Sequence, residues 1–242
     1  MAMPVNQCAG EKEGMGYIVL QGGAEFNGRM AQSDRRSLAL AGGNRARVAI
    51  LPTAAVPDRN HQRAGENGRR WFSSLGSGRV EVLPLIDSLS AADPELGKSI
   101  IASDLIYLLG GFPGYLAQTL GGSAAWSAVR AAYERGAVVA GSSAGAMVLC
   151  EKLYDPYRRQ VVRGLGLVPG CCLVPHHDTS GHKRVAGLQK ELPGLTIIGI
   201  DEQTGMIDDG PQRQWNVYGR GVVTIYRQHN ARQYKPGTLF EL

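Results

Sequence analysis

Short apolar runs, rich in valine, isoleucine and leucine, alternate along this chain with longer stretches of helical period, and glycine or proline stands at most of the joins. Runs that are apolar on both faces are typical of buried parallel strands, and parallel strands need crossover connections, which the helical stretches provide. The alternation therefore predicts an α/β fold, a three-layer α/β/α sandwich around a mostly parallel sheet. The predicted strands are Tyr17–Gln21, Arg47–Pro52, Val80–Pro84, Asp104–Leu109, Ala137–Ala140, Cys171–Pro175 and Thr196–Asp201. The predicted helices are Gly28–Ala41, Asn60–Leu75, Ala124–Arg135 and Gly181–Glu191.

The two ends of the chain complete the predicted layout. Two β-rich runs, Gln212–Gly219 and Gly221–Arg227, meet at Gly219-Arg220-Gly221, which predicts a C-terminal antiparallel β-hairpin added to the edge of the sheet. The 242 residues contain no repeat, low-complexity tract or linker. We therefore predict a polar N-terminal tail over residues 1–14 and a single domain over residues 15–242.

Composition and charge argue against several classes of function. The chain carries 26 basic and 21 acidic residues, and the basic ones are scattered rather than gathered in a stripe with aromatic residues, so we expect no nucleic-acid partner. No apolar run approaches the ~20 residues of a membrane helix, and the polar start lacks the apolar core of a signal peptide. The four cysteines form no Cys-x-x-Cys pair, which indicates reduced thiols. We expect a soluble, cytoplasmic monomer or homodimer without a membrane partner.

The segment Gly141-Ser142-Ser143-Ala144-Gly145 is the strongest local indication of chemistry. It follows an apolar strand and precedes a helical run, which is the context of a nucleophile elbow. A serine on such a turn stands above the sheet, and small neighbours let strand and helix approach each other. Ser143 is therefore the candidate nucleophile, and the N–H of Ala144, at the start of the helix, is a candidate oxyanion donor. An ordinary tight strand-to-helix turn is the alternative.

A second loop is expected at the same edge of the sheet. Gly110-Gly111 ends a predicted strand and is followed by Phe112 and Pro113. Since ligands bind at the carboxyl ends of parallel strands, a backbone N–H near Gly111 is a candidate second oxyanion donor. A purely structural turn would explain the same residues.

A reactive serine needs a base and an acid that orients it. His176 and His177 directly follow a predicted strand, so either could be the base, and the strand over 196–201 ends in Asp201-Glu202, which offers the acid. The alternatives are a metal site at His176, Asp178 and His182, whose spacing fits no standard zinc pattern, and a cluster of solvated histidines.

Three motifs together resemble the cyanophycinase and dipeptidase E family of serine peptidases. They are Gly141-Ser142-Ser143-Ala144-Gly145-Ala146, Pro175-His176-His177 and Gly199-Ile200-Asp201-Glu202-Gln203-Thr204. The resemblance extends to Gly22-Gly23-Ala24-Glu25, Leu51-Pro52-Thr53-Ala54 and Gly110-Gly111, and so covers nearly the whole chain in order. It implies a class I glutamine amidotransferase-like (flavodoxin-like) fold, with Ser143 as nucleophile, His176 as base and Glu202 as orienting acid. It implies no metal and no cofactor.

The resemblance also implies a substrate class. The expected activity is cleavage of small peptides, by an exopeptidase or dipeptidase acting on aspartyl peptides or by a cyanophycinase-like enzyme. The candidate substrate contacts are Phe112, His177, which stands where the family usually has Phe or Tyr, and the basic pair Lys183 and Arg184, which could bind an acidic side chain. The alternatives are an esterase or amidase with the same three residues, and a scaffold of the same fold that lacks catalysis and binds metal at His176, Asp178 and His182.

Overall fold

The computed structural model describes residues 15–228 and 230–242, so the predicted tail over residues 1–14 lies outside the described residues. The strands are β1 (Ile18–Gln21), β2 (Arg47–Leu51), β3 (Arg79–Val82), β4 (Leu105–Leu108), β5 (Val138–Ser142), β6 (Cys150–Asp155), β7 (Gln160–Arg163), β8 (Val168–Val174), β9 (Thr196–Ile200), β10 (Thr204–Ile207), β11 (Trp215–Gly219), β12 (Val223–Arg227), β13 (Asn230–Tyr234) and β14 (Leu239–Phe240). The α-helices are α1 (Met30–Leu40), α2 (His61–Ser74), α3 (Pro94–Ile101), α4 (Pro113–Leu120), α5 (Ala124–Glu134), α6 (Ala144–Leu149) and α7 (His182–Glu191).

The described strands form two sheets rather than the single sheet predicted. The first has the order β14-β11-β10-β1-β5-β4-β2-β3, and its strands from β1 to β3 in that order are parallel. The second has the order β13-β12-β9-β8-β6-β7, with β6, β8 and β9 parallel. The predicted strands that end near Pro175 and Asp201 belong to this second sheet. A strand pattern in the sequence marks extended backbone but does not specify the neighbouring strand, so the division into two sheets was not predicted.

The predicted C-terminal hairpin is wrong in its pairing. β11 pairs with β10 and β14 in the first sheet, whereas β12 pairs with β9 and β13 in the second. The turn between them follows the loop that joins β9 to β10, because the N–H of Arg220 donates to the carbonyl of Gln203 at 3.0 Å and the N–H of Val222 donates to Asp201 Oδ2 at 2.9 Å. Two chain segments therefore cross between the sheets side by side.

Helices cover both faces of the first sheet, and the predicted α/β sandwich is confirmed. α1 and α2 pack on one face around Leu38, Phe72 and Tyr107. The helices α3 to α6 pack on the other face, in the core shared by the two sheets. α7 covers the outer face of the second sheet through Val185 and Leu188. The apolar residues of each central strand alternate between these cores, as side chains on successive strand residues must.

Three cysteines of the described residues, Cys150, Cys171 and Cys172, are free and buried, and Cys8 lies outside the described residues. Burial raises the pKa of the Cys150 thiol well above its usual range and raises the pKa of Cys171 and of Cys172 to about 12. These thiols stay protonated at neutral pH and are therefore poor nucleophiles. Within the same described ranges, no helix combines the length and the apolar composition that crossing a bilayer requires.

Candidate active site

Ser143 stands on a strained turn between β5 and α6. Its backbone has φ 48° and ψ −111°, which non-glycine residues rarely adopt, and its N–H donates to the carbonyl of Gln21 at 3.0 Å. The turn is tight because a Cβ at Gly145 would lie 2.1 Å from the carbonyl oxygen of Leu108, and one at Gly141 would lie 2.4 Å from Gly145. Glycine at these two positions lets helix α6 lie directly against the sheet and leaves Ser143 at the edge of the sheet.

A chain of two hydrogen bonds links the three residues expected from the sequence. Ser143 Oγ lies 3.0 Å from His176 Nε2, and His176 Nδ1 lies 2.8 Å from Glu202 Oε1. A neutral imidazole that donates from Nδ1 to the carboxylate has Nε2 free to accept the hydroxyl proton of the serine. The geometry therefore suits a serine whose proton can be removed by a histidine held in the correct tautomer.

The position of His176 depends on contacts across the two sheets. Its backbone is in the left-handed region, with φ 50°, and its N–H donates to the carbonyl of Gly22 at 2.8 Å. The imidazole lies against Gly23, where a Cβ would come within 2.3 Å of His176 Cε1. On the far side, the N–H of Glu202 donates to Asp178 Oδ1 at 2.9 Å. The end of β1 thus positions a histidine that follows β8 of the other sheet.

His177 points away from Ser143, which corrects its assignment as a substrate contact. It is only 7% exposed, its Nδ1 lies 3.2 Å from Asp201 Oδ1, and its Nε2 lies 2.8 Å from Tyr226 Oη. The His177 ring also packs against β9, because a Cβ at Gly199 would lie 2.4 Å from it. Of the two candidate bases, the structure brings His176 and not His177 to the serine.

The two predicted oxyanion donors lie close to the nucleophile. Ala144 is the first residue of α6, and an N–H at that position has no acceptor within the helix. In the neighbouring loop the N–H of Phe112 is taken by the carbonyl of Ala54 at 2.8 Å, whereas the described residues contain no acceptor for the N–H of Gly111. Gly111 has φ 138° and lines the same cavity as Ser143. Their role as oxyanion donors stays a prediction.

The cavity at Ser143 is small, with a volume of about 180 Å³. Arg184 lines it, with its guanidinium carbon 5.4 Å from the centre of the Tyr154 ring. Lys183 is exposed on α7 and does not contribute to the wall. Phe112, a predicted substrate contact, does not line the cavity; it stacks on Tyr157, a wall residue, with ring centroids 3.9 Å apart. Apolar and aromatic side chains form most of the wall: Met147, Tyr154, Tyr157, Leu173, Val174 and Leu188.

The alternative metal site is not formed. Asp178 accepts from the backbone of Glu202, His182 Nδ1 lies 3.1 Å from the carbonyl oxygen of His177, and both ring nitrogens of His176 face other partners. Within residues 15–228 and 230–242, no three His, Cys, Asp or Glu side chains are grouped so that they could hold a metal ion.

Sequence reasoning missed a buried polar network beneath the serine turn. Asp34 is fully buried and accepts from Gln21 Nε2 at 2.7 Å and from Trp71 Nε1 at 2.8 Å. Burial raises its pKa to about 7. Tyr107 Oη donates to Gln21 Oε1 at 2.5 Å. Gln21 accepts the N–H of Ser143 with its backbone carbonyl, so these side-chain hydrogen bonds fix the residue on which the serine turn rests. A glutamine within an apolar strand was the available signal, because a buried amide needs partners.

The chain is similar to known proteins over most of its length. The sequence model of peptidase family S51 matches residues 18–212. Cyanophycinases from Trichormus variabilis and from Geminocystis herdmanii are each 27% identical to the chain, over 220 and 219 residues; each match covers 86% of this chain, and 72% and 79% of the respective relatives.

Two solved structures are similar to this fold. A peptidase from an acI-B1 actinobacterium has a TM-score of 0.84 and 26% identity, with 95% of this chain and 98% of that one covered. A protein assigned to peptidase E from Listeria monocytogenes EGD-e has a TM-score of 0.64 over 86% of this chain and all of its own, and at 19% identity it supports the fold alone. Because the family match spans most of the sequence, the chain belongs to peptidase family S51 and is a serine peptidase, a hydrolase of the cyanophycinase and dipeptidase E kind.

Proposed function

We propose that this protein cleaves small peptides through an acyl-enzyme, with Ser143 as nucleophile, His176 as general base and Glu202 as the acid that orients the imidazole. The observation that carries the proposal is the hydrogen-bonded chain from Ser143 Oγ through His176 to Glu202, with distances of 3.0 and 2.8 Å. Ser143 and His176 both line a cavity at the protein surface, which supports a role in binding or converting a ligand rather than in stabilising the core.

The proposed reaction proceeds in two halves. Ser143 Oγ attacks the scissile carbonyl carbon while His176 Nε2 takes the hydroxyl proton, and the resulting oxyanion accepts hydrogen bonds from the N–H groups of Ala144 and Gly111. His176 then gives the proton to the leaving amine as the C–N bond breaks. In the second half a water molecule loses a proton to His176 and attacks the acyl-enzyme; the ester C–O bond then breaks as His176 returns the proton to Ser143 Oγ, which releases the acid product and restores the serine.

The cavity favours a short, acidic substrate. A space of about 180 Å³ holds little more than one side chain and its adjoining peptide group. Arg184 is a guanidinium in its wall, and planar guanidinium groups bind carboxylates through paired hydrogen bonds. An aspartyl residue before the scissile bond would meet this group, whereas an arginine side chain would bring a second positive charge to it. We therefore place aspartyl dipeptides ahead of a cyanophycinase-like substrate.

Covalent labelling tests the proposal without knowledge of the substrate. The intact mass is measured after incubation with a fluorophosphonate, for the wild type, Ser143→Ala and the neighbouring Ser142→Ala. We expect a single adduct on the wild type and on Ser142→Ala but none on Ser143→Ala, because only a serine activated by a base reacts readily. His176→Ala should also lose the adduct, whereas His177→Ala should keep it wherever it folds. An unlabelled, folded wild type would refute the proposal.

A further inference from the structure

A second cavity lies between the loop that follows β1 and helix α2. It has a volume of about 520 Å³, within the range of small-molecule sites. Glu25 and Phe26 of the loop form one side, and residues of α2 form the other. In the described part of the chain it shares no wall residue with the cavity at Ser143, and the mechanism above uses none of its side chains.

Glu25 gives this cavity a carboxylate without a cation. It is half-buried, and within residues 15–228 and 230–242 it forms no ion pair. Its Oε2 accepts from the hydroxyl of Ser142 at 3.0 Å, and over the same residues its Oε1 accepts no hydrogen bond. A partly buried charge is costly without a partner, so a cationic ligand group at Oε1 would be stabilising.

Arg70 gives the same wall a guanidinium. It donates to Asn67 Oδ1 at 2.6 Å and lies 4.0 Å from Glu66 Oε1. Glu66 is already bound by Arg69 through two hydrogen bonds, of 2.6 and 2.7 Å. Because a guanidinium has five N–H donors, Arg70 keeps donors for a carboxylate from outside the chain.

Phe26 and Trp71 supply the apolar part of the wall. Their ring centroids are 6.4 Å apart and the rings are inclined by 47°. Aromatic rings pack against apolar or aromatic side chains and attract ammonium groups. A ligand that uses the whole wall carries an ammonium group, a carboxylate and an apolar group, and a free amino acid with an apolar side chain combines these three.

Two wall residues also contact the groups that support the serine turn. Glu25 accepts from the hydroxyl of Ser142, the residue before the nucleophile. Trp71 Nε1 donates to Asp34 Oδ2 at 2.8 Å, and Asp34 accepts from Gln21, whose carbonyl binds the N–H of the nucleophile. A ligand that moves either wall residue would therefore alter how the nucleophile is held.

We propose that this cavity binds a free apolar amino acid as an effector, with its ammonium group at Glu25 and its carboxylate at Arg70. The ammonium group draws Glu25 away from Ser142, which loosens the serine turn and lowers the reactivity of Ser143. A peptidase that cleaves dipeptides releases free amino acids, so its product can act at this second site. The binding claim depends on the cavity alone, whereas the claim about reactivity rests on the proposed function.

Three probes that differ in charge test the binding site. L-Phenylalanine, phenethylamine, which lacks the carboxylate, and 3-phenylpropionate, which lacks the ammonium group, are titrated by isothermal calorimetry. We expect the wild type to bind phenylalanine about tenfold or more tightly than either analogue, the range set by a charged hydrogen bond. Glu25→Gln should weaken phenylalanine and phenethylamine alone, and Arg70→Ala should weaken phenylalanine and 3-phenylpropionate alone. Arg69→Ala, at a neighbour that does not line the cavity, is the matched control and should change nothing.

The rate of fluorophosphonate labelling at Ser143 tests the effector role. Phenylalanine at a concentration that saturates the wild type should lower this rate about fivefold or more in the wild type and in Arg69→Ala, but not in Glu25→Gln. No binding of phenylalanine, or equal affinities for the three probes, would exclude the site. Binding with an unchanged labelling rate would overturn the effector role. A folded wild type that the reagent does not label would refute the proposed function and the effector role with it, while the calorimetry judges the site independently.

Discussion

Gly23 lies directly under the imidazole of His176, and its replacement should displace the base without changing its chemistry. The Cβ of Gly23→Ala would lie 2.3 Å from His176 Cε1, whereas nonbonded carbon atoms prefer about 3.5 Å or more. The ring must therefore move by about 1 Å, which breaks a hydrogen bond of 3.0 Å to Ser143 Oγ. A misplacement of this size costs about a hundredfold in rate.

Gly42→Ala is the matched control for this substitution. Gly23 has φ 118° and Gly42 has φ 105°, so alanine is strained at both positions, but a Cβ at Gly42 would meet no atom within 4 Å. The positive φ should cost both variants about 1–2 kcal/mol of unfolding free energy, and Gly23→Ala should lose more because of its contact with His176. The rate of fluorophosphonate labelling at Ser143 should fall about a hundredfold in Gly23→Ala alone. Equal labelling rates in the two variants would refute the argument that contact with Gly23 positions the histidine.

Two further predictions concern charge. The pKa of Asp34 is raised to about 7 in the folded protein from 3.8, so its contribution to stability is complete below pH 3.8 and is lost as the pH rises to about 7. Between these pH values the unfolding free energy of the wild type should therefore fall by on the order of a few kcal/mol relative to that of Asp34→Asn. Urea titrations at several pH values measure both proteins, and the same pH dependence in the two would contradict the prediction. Arg184→Ala should raise KM for an aspartyl dipeptide about tenfold, whereas Lys183→Ala, at an exposed neighbour that does not line the cavity, should leave it unchanged; equal effects would remove Arg184 from the substrate site.

Local sequence patterns predicted the strands and the turn whose structure depends on residues close together in the chain. The apolar runs that became β1, β2, β4 and β9 were recognisable because both of their faces are buried. The serine turn was recognisable because its small residues are a steric requirement of the turn itself. In each case the residues that determine the structure are neighbours in the chain.

What was missed depends on contacts between distant segments. The resemblance implied His176 as the base, but the residues alone left His177 open, because the contacts that hold His176 come from Gly22 and Gly23, more than 150 positions away. The wrong C-terminal hairpin has the same origin, because the loop at Gln203 accepts the turn that would otherwise have joined two paired strands. Glu25 was seen only as part of a motif, since its partner Ser142 is 117 residues distant.

The division of the candidate site between the two sheets bears on how this enzyme loses activity. Ser143 follows a strand of the first sheet, while His176 and Glu202 follow strands of the second, so the hydrogen bond from Ser143 to His176 joins residues that different sheets position. A small slip between the two sheets would leave both sheets intact and still separate base from nucleophile. We therefore expect turnover to depend on how the two sheets are aligned. Core substitutions that shift one sheet against the other should lower turnover even where they contact no reacting group.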